Sequence, residues 1–281
     1  MGNIFSGLEA MGLDKLDNID LYADEKEKSA MKPVKEEPKL IISKELSESD
    51  YIFDKNYECP CCGAKFKSKA IRVGKARLIG SDLDLRPVYS GIDLNKYDVI
   101  LCVKCGYSVL SRFFDGYLGM NQIKLIKENI TSRFKPVVYE DDIYSYDEVL
   151  IRYKMALLCS VMKKAKISER AYTCLKLAWI YRAMAEIPEN VLKSVEYRNQ
   201  EKDMLKKAYE GFFESRSKEN FPICGMDQIT FDYLLGALAY ECEDYDNASR
   251  LIGNVITSNG AKEKLKNRAR EVRELIKSKT M

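Results

Sequence analysis

The chain has 281 residues, 46% of them apolar and 32% charged, with a formal net charge of +3. That length allows about two domains, the composition is that of a globular protein, and so small a net charge excludes a globally basic nucleic-acid binder. Nine cysteines stand beside no histidine at all, which removes every Ser–His and Cys–His nucleophile pair.

Residues 1–17 carry Ile4, Phe5, Leu8, Met11 and Leu16, the apolar set of a short amphipathic leader. The start also matches the Met-Gly-x-x-x-Ser myristoylation pattern, but is read here as a leader that docks on a partner or on the protein's own body, with a flexible leader as the alternative. It lacks a basic region followed by an apolar core, so no signal peptide is expected. No apolar run approaches the roughly 18 residues of a membrane span. A cytoplasmic protein in a reducing compartment, with no membrane partner, is the expectation. Residues 18–50 are charged and aperiodic, with Pro33 and Pro38, and read as a flexible linker.

Residues 51–115 hold two C-x-x-C-G knuckles, Cys59-Pro60-Cys61-Cys62-Gly63 and Cys102-Val103-Lys104-Cys105-Gly106. Two residues between cysteines let one tight turn aim both sulfurs at one ion, and the following Gly accepts the positive φ that closes the turn. Cys59, Cys62, Cys102 and Cys105 together supply the tetrahedral four-sulfur set that suits Zn²⁺ first, and iron second. Four protein ligands leave no open position for a reacting water, so the site reads as structural. Cys61 is the spare thiol, read as the x of C-x-x-C, with a reactive cysteine as the alternative.

Residues 63–101 separate the knuckles, about twice the usual zinc-ribbon gap of about 15–20. This insert reads as strands around Phe66, Ile71 and Val73, Leu78-Ile79 and Val99-Ile100-Leu101, with Gly74, Gly80 and Gly91 at turns. Lys65, Lys67, Lys69, Arg72, Lys75 and Arg77 follow the first knuckle closely. They are either an anion or nucleic-acid patch or, as preferred here, a solvated strand face. Asp82 and Asp84 are two apart and read as turn or ion-pair residues, not as an acid/base pair.

From residue 116 to 281 the period becomes helical. Ile123, Ile126 and Ile130 mark one helix, with Pro136 as its stop. Leu150, Tyr153 and Leu157 mark a second, and Ala171, Leu175, Ala178 and Arg182 a third beside Trp179. Met204, Leu205, Ala208, Tyr209 and Phe212 mark a long fourth. Leu234 and Leu238, then Ala248 to Ile256, then Leu265, Ala269, Val272 and Ile276 mark the rest. Leu235-Gly236 and Asp244-Tyr245-Asp246-Asn247-Ala248 stand at tetratricopeptide-repeat spacing, in which small residues let two helices approach. Leu177-Ala178-Trp179-Ile180-Tyr181 matches the first-helix part with Ala for Gly, and Pro188 interrupts the second-helix part. Cys159, Cys174, Cys224 and Cys242 read as buried free thiols.

The Phe-Ser-Gly-Leu-Glu start, Cys-Pro-x-Cys-Gly in the form Cys59-Pro60-Cys61-Cys62-Gly63, Tyr97-Asp98-Val99 before Cys102-x-x-Cys105-Gly106-Tyr107, and Leu177-Ala178-Trp179-Ile180-Tyr181-Arg182 together resemble a bacterial family. It is the domain of unknown function 2225, found in clostridia and related Firmicutes. The resemblance covers nearly the whole chain and implies a zinc-ribbon-like module joined to tetratricopeptide-like helices, with no established activity. The expectation is thus an α+β, mainly α chain: a zinc-binding scaffold or adaptor for a protein partner, and not an enzyme. A nucleic-acid-associated zinc ribbon, or a thiol or metal sensor, is the alternative.

Overall fold

The computed structural model describes residues 46–136 and 142–280. The expected leader at 1–17 and residues 18–45 of the expected linker lie outside the described residues. The last residues of that linker are folded. A 3₁₀ turn at Glu48–Tyr51 is pinned where Glu48 Oε1 accepts from Lys96 Nζ at 2.6 Å and from the Tyr97 hydroxyl at 2.7 Å.

β1 (Ile52–Glu58) pairs antiparallel with β2 (Lys65–Ile71). β3 (Leu78–Ser81) and β4 (Pro87–Tyr89) make a second hairpin, and β5 (Val99–Leu101) and β6 (Ser108–Leu110) a third. Among the described residues the three pairs remain separate sheets. A lone two-stranded hairpin is marginal in water, so each leans on other elements. Val73, expected in a strand, lies beyond β2 in a turn and is fully exposed. Gly80, expected at a turn, lies within β3, where the register shifts between Leu78 and Gly80.

A single turn, α1 (Ser111–Phe114), precedes α2 (Met120–Ile126), which runs on as a π-turn over Lys127–Thr131 and stops short of Pro136. The long helices come next: α3 (Tyr146–Met162), α4 (Ile167–Glu186), α5 (Ser194–Lys218), α6 (Gln228–Glu241), α7 (Tyr245–Thr257) and α8 (Glu263–Thr280). The chain is mainly helical with small antiparallel strand pairs, an α+β, mainly α fold. Side-chain caps set several helix starts, because the first N–H groups of a helix lack partners. Ser145 accepts from the Glu148 amide, Asp227 from that of Thr230 and Asp244 from that of Asn247.

Helix α4 is the shared wall. Thr173 to Tyr181 are buried without a break, as expected of a helix with neighbours all round. Leu177, Ile180, Tyr181 and Met184 face a core shared with α3 and with Tyr51, Tyr97, Val99 and Leu110 of the strand region. Ala171, Leu175, Ala178 and Trp179 face a second core built with α5 and α6. The strands and helices therefore share side chains. Leu46–Met281 clusters as one compact unit, and the expected boundary between residues 115 and 116 falls inside it. Helices α6 and α7 meet closely at Gly236, where a Cβ would stand 2.9 Å from Ile252.

The turn between β3 and β4 reaches the helices from the other side. Asp84 is 1% exposed and accepts from Trp179 Nε1 at 2.8 Å. Arg182 forks onto the same carboxylate at 3.1 and 2.8 Å and also reaches Asp82 and Glu201. The Tyr233 hydroxyl donates to the Leu83 carbonyl at 3.0 Å, and Arg268 donates to the carbonyls of Ser81 and Asp82. Asp82 and Asp84 are ion-pair residues, and alternate helices α4, α6 and α8 hold the turn they sit in.

Candidate metal centre

Each knuckle forms the tip of a hairpin, the first joining β1 to β2 and the second joining β5 to β6. Their backbones repeat each other. Cys59 N–H donates to Ala64 C=O at 3.0 Å, and Cys102 N–H to Tyr107 C=O at 2.8 Å. Gly63 N–H returns to Cys59 C=O at 2.8 Å, and Gly106 N–H to Cys102 C=O at 2.9 Å. Gly63 and Gly106 have φ of +70° and +76°, a region that costs other L-residues roughly 1–2 kcal/mol. The amides of Cys61 and Cys62 near the Cys59 sulfur, and those of Cys105 and Lys104 near the Cys102 sulfur, act to lower these thiols. Such N–H groups favour thiolate over thiol.

The Sγ atoms of Cys59, Cys62, Cys102 and Cys105 all lie within 4.8 Å of one another. Cys59 and Cys105 sulfurs are 3.6 Å apart, and those of Cys62 and Cys102 are 3.8 Å apart. A tetrahedral ion with metal–sulfur bonds of about 2.3 Å sets sulfur–sulfur edges of about 3.8 Å. A disulfide would need about 2.05 Å. Two of the edges match that length and all lie within 4.8 Å, so the residues present suit a metal ion.

Charge points the same way. Without a cation the sulfurs share protons and cannot ionise together. Donation from Cys105, then from Cys59, holds the Cys102 thiol down at about 2. The same bonds push Cys59 up to about 12, through Cys102 first, and Cys105 upward as well. Four thiolates require a cation at their centre.

The second knuckle is bolted to the helices. The Thr131 hydroxyl, at the end of the π-turn, donates to Cys105 C=O at 2.9 Å. Cys159 of α3 accepts from Ser108 N–H at 3.2 Å and donates to Gly106 C=O at 3.5 Å. Phe134 and Ile130 close over Gly106. Cys59, Cys102 and Cys105 are buried, and Cys62 is exposed. Thr131 and Cys159 are not recognisable from sequence as partners of the site. No spacing rule connects them to a knuckle, since the contact depends on how α2 and α3 pack.

Cys61 is buried and outside the four-sulfur set, and its thiol is held below the ordinary value chiefly by its neighbour Cys105. Two of the six basic residues after the first knuckle, Lys65 and Lys69, face acids. Glu58 stands opposite Lys65 in the β1–β2 register and Asp54 opposite Lys69. Lys69 also pairs with Asp54 at 3.0 Å and with Asp142 at 3.3 Å, while Arg72 donates to the Ile52 carbonyl. Cys159 and Cys174 are buried as expected, whereas Cys224 and Cys242 are only half-buried, because they lie in turns beyond the helix cores. Among the described residues no helix is long and apolar enough to cross a membrane.

Neither a curated protein nor a solved structure matches the chain. A family profile described as "uncharacterized protein conserved in bacteria (DUF2225)" matches residues 52–276. That span takes in both knuckles, the insert between them and the helices from α1 to within α8. The chain belongs to this bacterial family, the domain of unknown function 2225.

Proposed function

We propose that Cys59, Cys62, Cys102 and Cys105 hold one structural zinc ion, and that the chain is a cytoplasmic scaffold that binds a protein partner through its helices and performs no chemistry of its own. The observation that carries the reading is the four-sulfur cluster, all within 4.8 Å, in a histidine-free chain. Thiolate-only sets favour zinc over the harder divalent ions, and a closed set of four suits a structural role. Bound zinc would let all four thiolates ionise and would tie together the two ends of the 63–101 insert. Free thiols throughout accord with a reducing compartment.

The helical side of the proposal rests on the α6–α7 pair. Its close approach at Gly236 is the geometry that a tetratricopeptide-like unit needs. Stacked helix pairs present a continuous inner face, a ready surface for a protein segment. Part of that side already carries the chain's own β3–β4 turn. The nucleic-acid reading loses ground to the acids paired across from the lysines.

Two measurements test the proposal. Elemental analysis of the purified chain should find about one zinc per chain. Recovery of binding partners from the native cell, identified by mass spectrometry, should return a recurrent protein whose capture survives nuclease treatment. A fully folded chain without metal, or capture that vanishes with nuclease, would overturn it.

A further inference from the structure

A cavity of about 650 Å³ opens where the strand region meets the helices. Its lining comes from Tyr107, from α1 and the loop after it, from the turn between α3 and α4, and from the loop between α5 and α6. That volume lies within the range of small-molecule sites, about 300–1,000 Å³.

Two buried polar groups line the cavity with bonding capacity unused. Tyr107 is 2% exposed, and its hydroxyl has no hydrogen-bond partner among the described residues. Lys163 is 5% exposed, and its ammonium meets one acceptor among the described residues, Glu169 Oε1 at 2.7 Å. An ammonium has three donors. The two groups are neighbours, with Lys163 Nζ 5.8 Å from the centre of the Tyr107 ring. Buried donors without an acceptor are costly, and native folds keep few of them. An acceptor placed in the cavity would satisfy both.

Charge says what kind of acceptor fits. Three cations and two carboxylates line the cavity, a surplus of one positive charge. Both carboxylates are committed. Glu169 pairs with Lys163, while Glu219 accepts from the Ser168 amide at 3.0 Å and from its hydroxyl at 2.6 Å, capping the start of α4. The other two cations have no carboxylate partner among the described residues. Arg112 donates to the Cys224 carbonyl at 2.6 Å and lies over the Tyr172 ring, and Lys166 is exposed. A surplus of one suits a monoanion, whereas a dianion would crowd Glu169 and Glu219. Phe113, Leu118 and Ile223 supply apolar wall, which a bare inorganic anion would leave wet.

We propose that this cavity binds a small organic monoanion, a carboxylate carried on an apolar body. Its oxygens accept from the Tyr107 hydroxyl and the Lys163 ammonium, and its body packs on Phe113, Leu118 and Ile223. Arg112 and Lys166 supply attraction at the rim. The inference goes beyond the scaffold reading and does not depend on it.

The test titrates the metal-loaded full chain with para-fluorophenylacetate, followed by fluorine NMR. Three control probes each change one feature. The para-fluorophenylacetamide removes the charge, fluoroacetate removes the apolar body, and para-fluorophenyl phosphate, at about pH 8, is a dianion. The carboxylate should bind with a dissociation constant below about 1 mM, and each control at least about tenfold more weakly. Tyr107→Phe keeps the ring and removes the hydroxyl. It should weaken the carboxylate about tenfold, with zinc content and thermal midpoint unchanged. Lys166→Glu, at an exposed position, should weaken the carboxylate and leave the acetamide unaltered. If Tyr107→Phe loses zinc, the Lys166→Glu result decides. No binding of the carboxylate at millimolar concentration, equal binding of carboxylate and acetamide, tighter binding of fluoroacetate or of the phosphate, or unchanged affinity in both variants would overturn the proposal.

Discussion

The two knuckles share a backbone and differ in what stands behind them. Cys59-to-Gly63 and Cys102-to-Gly106 make the same two backbone hydrogen bonds and end on glycines of nearly equal φ. The second is packed by Thr131, Cys159, Ile130 and Phe134. The first has open space around Gly63 and exposes Cys62. One half of the site is thus held by hydrogen bonds and side chains of the helical body, while the other half has an exposed vertex at Cys62. The difference teaches that a local motif can place sulfurs, while the surrounding fold sets how exposed each of them is.

The sharpest way to break the comparison is to remove one ligand from each half. Cys102→Ala opens a vertex that no solvent can reach, and metal content should fall below about a tenth of wild type, with loss of much of the roughly 10 kcal/mol scale of structural zinc binding. Cys62→Ala opens a vertex facing water, which can complete the shell. It should retain a larger share of metal. Elemental analysis after desalting reads both, and equal retention would remove the distinction.

Glycine substitutions give the next largest effect. Gly63→Ala meets only the left-handed φ and should cost about 1–2 kcal/mol. At Gly106 a Cβ would also lie 2.7 Å from the Phe134 ring, and overpacking adds about 1–3 kcal/mol. Denaturant unfolding should therefore rank Gly106→Ala as the more damaging. Thr131→Val removes one hydrogen bond from the held knuckle and should cost about 1 kcal/mol, seen as a lower unfolding midpoint with unchanged metal content. The smallest effect belongs to Cys61→Ser, which should leave metal stoichiometry unaltered, because the four ligating sulfurs remain.

How far the sequence is legible depends on the range of the interactions. The knuckles can be read because Cys59 to Gly63 and Cys102 to Gly106 are local turns whose chemistry is written in adjacent residues. The buried face of α7 can be read because helical periodicity places Ala248, Leu251, Ile252 and Val255 on one stripe, whereas the stripe of Ala171, Leu175 and Ala178 marks only one of the two cores that α4 faces. The fate of Asp84 cannot be read, because Trp179 and Arg182 approach it from about a hundred residues away. Nor can the fusion of strands and helices into one unit, since an apolar strand such as Val99-Ile100-Leu101 does not say what it packs on. The anchoring of Glu48 by Lys96 and Tyr97 is hidden for the same reason, in a segment whose composition alone resembles a linker.

The central claim is that four cysteine sulfurs hold one zinc ion. X-ray absorption at the zinc edge, on the full chain purified without added metal, tests it most directly. The account predicts four sulfur neighbours at about 2.3 Å and no nitrogen or oxygen in the first shell. A shell containing nitrogen or oxygen, or the absence of zinc from folded protein, would contradict it.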